Sequence, residues 1–532
     1  MFQKQFIPVS KTALFSSLFA DYLTQSEKVK PFYKEHFSSK DFSDYLENYK
    51  FDYLDRPVLV RALEKQANFV SNASSTVIAN IKLLEKPSTY TVTTGHQLCL
   101  FTGPLYFIYK IVSAINLCNT LKQKFPNKDF VPVYWMASED HDFEEINHVH
   151  VFGKKLVWNS SQKGAVGEFS TEGLQEVITE LKAILGESDN SKNLIDLFEK
   201  AYVQHANLAD ATRYLVNALF GEYGVVTLDG NDADLKNLFK EEFSKDIFEN
   251  TSAKLVNETI DELKKHYSAQ VSPRDINIFY KEKGIRERIE KQGNEYVVLN
   301  TEIRFTEQEL KSIIDTSPEK LSPNVVLRPL YQQKILPNIA YVGGPGELAY
   351  WLEYKTMFDA FNIHFPILVP RNFVMLFDKG TQTKIQKLNL TIEDTFRDGE
   401  ELVKAFIKTQ HDDINLETAK NQLAAVYASV LETVSGIDKT LVGTTEAEKQ
   451  KAINGLATIE QKINRALKQK SETDINQIWT IKGKLFPNNV PQERYDNFSA
   501  YYSKYGKEFI IGLMATLTYA LDNFEYTILK EN

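Results

Sequence analysis

Short runs of consecutive apolar residues recur along the first 370 positions, each ending abruptly in a polar or glycine-rich turn. They fall at 90–94, 130–137, 225–229, 339–343 and 365–369. Unbroken apolar runs of this length suit strands buried on both faces, as in a parallel sheet covered by helices. The spacing between several of them leaves room for a crossover helix plus an inserted module. The pattern predicts a mononucleotide-binding type of α/β core interrupted twice. One insertion, 149–220, opens with a hairpin-like segment at 149–158 and continues into amphipathic helices. The other, 265–325, shows short strands at 275–280, 295–300 and 302–305, then a helix at 307–314. Residues 1–85 read as helical with breaks at Pro31 and Pro57, and lead into the first part of the core, which extends to 148. The core continues at 221–264 and is completed at 326–378.

From 379 to 475 the pattern changes. Leu423, Tyr427, Val430, Val434, Ile437 and Leu441 recur at alternating spacings of four and three, a heptad seam. A break is expected after Gly443, with Thr445 and Glu448 forming a capping box. A second seam follows at Ala452, Leu456, Ile459, Ile463 and Leu467. The two helices predict an antiparallel coiled-coil hairpin, either packed on its own core or joining two copies of the chain, with the dimer preferred. In the closing part, 476–532, residues 484–495 read as a polar loop with two prolines and 509–529 as a buried helix.

Composition narrows the class. A hydrophobic content of 43% with 25% charged residues fits a soluble globular protein. The net charge of −9 argues against a general nucleic-acid binder, which carries a basic surface. Only Cys99 and Cys118 are present, which suggests a reducing compartment, the cytoplasm. The most apolar stretch, 98–118, is interrupted by Gly103-Pro104 and Lys110, and reads as a buried strand–helix corner, not a membrane span.

Chemistry is expected at the carboxyl ends of the strands, where open α/β sheets bind ligands. Thr93-Thr-Gly-His96, followed by Gln97, is similar to the His/Thr-x-Gly-His turn of nucleotidyl transferases and class I aminoacyl-tRNA synthetases. In such a turn the glycine admits a nucleotide and the histidine stabilises charge on a transferring phosphate. A turn histidine bonded to backbone is the plain alternative, and no KMSKS-like lysine loop supports a synthetase. The second run delivers Glu139, Asp140, His141 and Asp142 at a strand end. Four ionisable groups there are costly to desolvate unless they bind something. Holding a substrate amine, binding Mg²⁺ with ATP, and general-base work all remain open, against a solvated helix start. A zinc site at His141, His148 and His150 is disfavoured by the spacing.

After the fourth run, Gly343-Gly-Pro-Gly346 offers backbone N–H groups to an anion, or serves only the turn. Glu347 then stands ready for an amine. Arg328, Gln332 and Arg371 are further candidates for the same crevice, although an ion pair explains Arg371 equally well. Cys99 lies in an apolar run and is expected to be inert.

Taken together, Thr94-Gly-His-Gln, Phe101-Thr-Gly-Pro-Leu-Tyr106, Glu139-Asp-His-Asp, Glu145-Ile-Asn-His148, Leu327-Arg-Pro, Gly343-Gly-Pro-Gly-Glu347, Leu485-Phe-Pro and Gln492-Glu-Arg494 occur in an order that resembles one family, the cysteine-adding enzymes of bacillithiol biosynthesis. The resemblance spans most of the chain. It implies a Rossmann-like parallel-sheet core with two connecting-peptide insertions and a C-terminal antiparallel α-helical coiled-coil arm that dimerises. It also implies a ligase joining L-cysteine to the amine of glucosaminyl-malate, with ATP and Mg²⁺ activating the cysteine carboxylate as an adenylate or acyl-phosphate. His96 and Gln97 would stabilise the activated group, and Asp140 or Asp142 would take the amine proton or bind the cysteine amine. Arg328, Arg371 and the glycine turn would hold the malate carboxylates. An ADP site near the arm would draw on Lys484, Gln492 and Arg494. The competing expectations are a nucleotidyl transferase acting on another substrate and a non-catalytic coiled-coil scaffold.

Overall fold

A computed structural model describes residues 1–410 and 416–532. The chain forms two units: a core of residues 1–376 and 490–532, and an arm of residues 377–489.

The five apolar runs form one parallel sheet. In chain order its strands are Thr89–His96, Asp129–Met136, Val226–Asp229, Asn338–Gly343 and Ile367–Pro370. Across the sheet the order is fifth, fourth, first, second, third. The chain winds outward from the first strand to the third, then returns to the other side of the first. The first and fourth strands therefore flank a topological switch point, where a crevice opens beyond their carboxyl ends. Their contact is partly polar. Thr91 and Thr93 donate to the Asn338 side-chain oxygen at 3.2 and 2.7 Å, and Thr94 donates to the Val342 carbonyl at 2.8 Å. Each buried hydroxyl is thus satisfied within the sheet.

After the first strand the chain makes a left-handed turn, with φ of 48° at Phe101, 73° at Thr102 and 70° at Gly103. A side chain at Gly103 would begin 2.6 Å from the Cys99 Cβ, so glycine is required there. Asn497 fixes the turn by donating to the carbonyls of Phe101 and Gly103 at 2.8 and 2.6 Å. The buried helix Tyr106–Lys124 follows and packs on the first and second strands. Among the described residues, no helix is long and apolar enough to cross a membrane.

The first insertion contains the hairpin His148–Val151 and Lys154–Val157, then helices Leu174–Leu185, Asp189–Tyr202 and Leu208–Phe220. The second is an antiparallel sheet ordered Arg304–Thr306, Glu295–Val298, Ile285–Gln292, Ile278–Glu282, Leu321–Pro323. Helix Glu307–Thr316 starts from a capping box between Thr306 and Glu309. Strand Ile285–Gln292 is absent from the sequence reading, because only its two isoleucines are apolar.

Both ends of the chain differ from expectation. Phe2–Ile7 is a strand, not helix, and pairs antiparallel with Tyr526–Glu531. The closing helix is only Glu508–Thr516 and gives way to that last strand. Short apolar runs fit either element, and here the pairing decides. Pro57 does not break a helix. It sits in the first turn of Arg56–Ala67, which Asp55 caps, where proline costs no hydrogen bond.

In the arm, helices Glu417–Ile437 and Leu441–Lys470 pack against each other. Lys420 pairs with Glu460 at 2.8 Å, which an antiparallel hairpin turning near 440 requires. The break lies at 438–440, where the Asp438 carboxylate accepts the Thr440 N–H at 2.8 Å. The expected capping box does not form: Thr445 lies inside the second helix and donates to the Leu441 carbonyl at 3.0 Å.

One buried ion pair ties the C-terminal segment to the sheet. The Arg371 guanidinium donates both Nη groups to Glu493 at 2.9 and 2.7 Å, and Glu493 also accepts the Val374 N–H at 3.1 Å. Removing one partner leaves an uncompensated buried charge. Glu493→Ala is expected to lower the unfolding free energy by about 3–5 kcal/mol. Urea denaturation measures this, and an unchanged midpoint would contradict the assigned role.

Candidate active site

Above the switch point lies a cavity of about 760 Å³. Gly95, His96 and Gln97 enter it from the first strand, Glu139, Asp140 and His141 from the second, and Tyr341 and Glu347 from the fourth strand and the helix after it. The second insertion supplies another wall, including Arg274, Arg286 and Arg288, and Arg328 lies beside them.

The cavity has an acidic pole. Gln97 donates to Asp140 at 2.9 Å and to Glu145 at 2.6 Å, so one amide joins two carboxylates. The other Asp140 oxygen accepts the N–H of His141 at 2.7 Å and of Asp142 at 3.4 Å. Burial pushes the Asp140 carboxyl up, but the Gln97 bond, the Arg286 charge and these amides outweigh it and hold the group below the usual range. Glu139 is already paired with the buried Lys236, which also donates to the Leu321 carbonyl at 2.6 Å. Asp142 is exposed and does not line the cavity, so its expected catalytic part is withdrawn.

His141 takes its character from Arg286. The buried guanidinium donates to His141 Nδ1 at 2.5 Å and stacks on Phe279, 4.1 Å from the ring centre. Arginine has no acceptor, so Nδ1 must carry the lone pair and Nε2 the proton. Burial, followed by the Arg286 charge, lowers the His141 pKa from its ordinary value. His141 is therefore a neutral donor. His150 is held elsewhere, stacked on Tyr495 at 4.1 Å. Among the described residues, no cluster of three or more His, Cys, Asp or Glu side chains has metal-binding geometry.

His96 is also neutral. Burial and the nearby Lys110 ammonium push its pKa down to about 3, so it offers no positive charge to a phosphate, contrary to one expectation. Its Nε2 lies 3.7 Å from Cys99 Sγ. Burial pushes the Cys99 thiol up to about 12, which leaves it protonated and unreactive.

Several candidates serve the scaffold. Glu347 accepts from Lys110 at 2.8 Å, from the Tyr341 hydroxyl at 2.7 Å and from the Gly344 N–H at 2.9 Å, so its carboxylate is filled and not free for an amine. The Gly344 N–H is thereby spent on Glu347. Gly343, Gly344 and Gly346 do not line the cavity, which corrects the expected anion turn. Arg371 is consumed by Glu493. Gln332 is buried beneath Arg328 and accepts from it at 3.0 Å.

Arg328 itself stays in the cavity, 5.6 Å from the Trp135 ring centre and 5.9 Å from that of Tyr341. Among the described residues, Arg274, Arg286, Arg288 and Arg328 have no carboxylate within ion-pair distance. Sequence reasoning missed the first three. For Arg286 and Arg288 the signal is faint, an Ile-Arg-Glu-Arg-Ile alternation after the Gly284 turn, and Arg274 lies in a loop with none.

Of the nucleotide candidates, Lys484 belongs to the arm and pairs with Asp378 at 2.6 Å. Gln492 is buried, accepting the Leu376 N–H at 2.5 Å and donating to its carbonyl at 3.3 Å, which removes it as a ligand group. Arg494 is exposed.

Replacing Arg286 tests the electrostatics. In Arg286→Met, loss of the charge and of the donor to Nδ1 is expected to raise the His141 pKa. An NMR titration of the ring follows it, and an unmoved midpoint would refute the coupling.

The chain matches the model "Bacillithiol biosynthesis BshC, N-terminal Rossmann-like domain" over residues 2–372, and "Bacillithiol biosynthesis BshC, C-terminal coiled-coil domain" over residues 374–531. Similar curated proteins carry the name "Putative cysteine ligase BshC". The one from Flavobacterium psychrophilum is 45% identical, covering 95% of this chain and 95% of its own. That of Flavobacterium johnsoniae is 43% identical over 96% of this chain and 97% of its own. That of Christiangramia forsetii is 40% identical over 98% of each. The chain belongs to the BshC family of bacillithiol biosynthesis.

Proposed function

We propose that this protein is a cytoplasmic ligase that forms the amide between L-cysteine and the amine of glucosaminyl-malate. The observation that carries the reading is the division of one cavity into an acidic pole and an arginine pole. The cysteine ammonium fits beside Asp140 and Glu145, joined through Gln97. Because Asp140 is held below the usual carboxylate range, it keeps its charge at neutral pH and acts as an anchor. This replaces the general-base role expected of it. The two malate carboxylates fit Arg274, Arg288 and Arg328, whose planar forks suit bidentate pairing, while Arg286, spent on Ser322, His141 and the Pro323 carbonyl, adds its charge behind them. A cavity of about 760 Å³ suits a glycoside and an amino acid together. The Nε2–H of His141 is a donor for the carbonyl oxygen as charge builds on it, in a site that costs little reorganisation.

Amide formation from a free carboxylate in water runs uphill, which is why ATP with Mg²⁺ belongs in the reaction. It supplies the leaving group on the cysteine carboxyl. Of the side chains present, arginines suit phosphate oxygens, and Mg²⁺ would come with those phosphates, since the Asp140 and Glu145 oxygens are given to the cysteine ammonium. Around that chemistry, the residues bind and orient both substrates at the end of the sheet. The arm suits pairing with a second copy. Val426, Val430, Ile437, Leu441 and Ile459 are exposed on its two long helices.

Incubation with cysteine, glucosaminyl-malate and ATP is expected to yield a new thiol of the summed mass less water, read by mass spectrometry. No product and no cysteine-dependent ATP consumption would sink the ligase. Arg328→Ala is expected to raise KM for the glycoside about 10- to 100-fold, the loss of one charge-assisted contact, with KM for cysteine unchanged. Sedimentation at micromolar concentration is expected to show a dimer, and a strict monomer would remove that part.

A further inference from the structure

Residues 268–276 run without helix or strand from the end of helix Thr251–Leu263 to strand Ile278–Glu282. This strap places Ser272, Arg274 and Ile276 on the cavity wall. Loops bearing functional side chains are normally loose, yet both ends of this one are gripped.

At one end, the two oxygens of Glu353 accept the N–H groups of Gln270 at 2.6 Å and Val271 at 3.2 Å. Glu353 is fully buried, in the corner between helices Pro345–Trp351 and Lys355–Ala360. At the other end, the buried side chain of Asn277 holds Arg274 by both main-chain groups. It accepts the Arg274 N–H at 3.1 Å and donates to its carbonyl at 2.7 Å. Asn277 is itself fixed, donating its own N–H to Asp246 at 2.7 Å and its amide to Ser252 at 3.0 Å.

A buried carboxylate is costly when no cation answers it. Among the described residues, Glu353 has no ion-pair partner, and burial pushes it up to about 7 against the pull of the two amides and of Lys264. A carboxyl needed only to fill space would be better replaced by an apolar side chain. Glu353 instead spends both oxygens on the main chain of the strap. The same corner carries Tyr350 on the cavity wall, so strap and wall share one support.

We propose that Glu353 is a positioning residue: by pinning residues 270 and 271 it sets Arg274 over the cavity, and so sets the affinity for the dicarboxylate end of the acceptor. The second half of this statement rests on the functional reading above.

Two measurements separate the parts. Hydrogen exchange of peptides covering 268–276 needs no substrate. In Glu353→Ala, exchange at Gln270 and Val271 is expected to quicken at least about tenfold while the sheet strands stay protected. In turnover, Glu353→Ala is expected to raise KM for glucosaminyl-malate by about tenfold, leaving kcat and KM for cysteine in place. Arg274→Ala should do the same, and the double variant should be no worse than Arg274→Ala alone, since one residue acts through the other. Should the alanine variant fail to fold, Glu353→Gln, which keeps one acceptor oxygen, is expected to show a smaller loss in the same direction. Unchanged exchange, or additive effects in the double variant, would overturn the proposal. A wild-type protein that does not turn over the glycoside would remove the functional reading, while exchange still decides whether Glu353 holds the strap.

Discussion

The core unit depends on the seam between its first and fourth strands. These strands are far apart in the chain and adjacent in the sheet, and polar groups join them inside an otherwise apolar layer. Thr91 and Thr93 share the Asn338 oxygen. Just beyond the strand ends, Lys110 from the helix after the first strand meets Glu347 from the helix after the fourth. Lys110 also donates to the Gly95 carbonyl, so a single buried ammonium binds the end of one strand to the helix that follows the other. Unsatisfied, any of these groups would be expensive. Satisfied, they fix the register and spacing of the two strands whose ends carry the crevice.

The cavity gains its polarity from different parts of the chain. The acids and histidines arrive on strand ends of the core, whereas three of the four cavity arginines arrive on the second insertion. A parallel sheet alone would offer a crevice with one chemical character. The antiparallel module adds the opposite one, and Arg286 couples the two by fixing the proton of His141. The insertion is therefore part of the site.

Much of this was legible in the residues. Buried parallel strands are long apolar runs with sharp polar ends, and all five were readable as such. So was the gathering of His96, Gln97, Asp140 and His141 at one edge. What could not be read was which polar groups were already spoken for. Glu347 looks available in sequence and Arg371 reads equally well as free or ion-paired, but their partners, Lys110 and Glu493, lie 237 and 122 positions away. No local pattern announces such a pairing. Strand Ile285–Gln292 was hidden for the opposite reason: one face carries arginine toward a cavity and the other offers only Ile285 and Ile289 as apolar residues, so little apolar signal remains. In the arm, heptad spacing located both helices but not the break between them. Gly443 and Thr445 both lie inside the second helix, where the Thr445 hydroxyl bonds back one turn to Leu441 instead of capping.

The tie between Asn497 and the turn at Phe101 and Gly103 has a consequence for the order of events during synthesis. The carbonyls it satisfies leave the ribosome 396 and 394 residues before the amide that meets them. Until residue 497 has emerged, the turn beside His96 lacks its clasp. Contacts of such separation are slow to form. The turn beside the crevice is thus clasped only after all five strands of the sheet that carries it have been made.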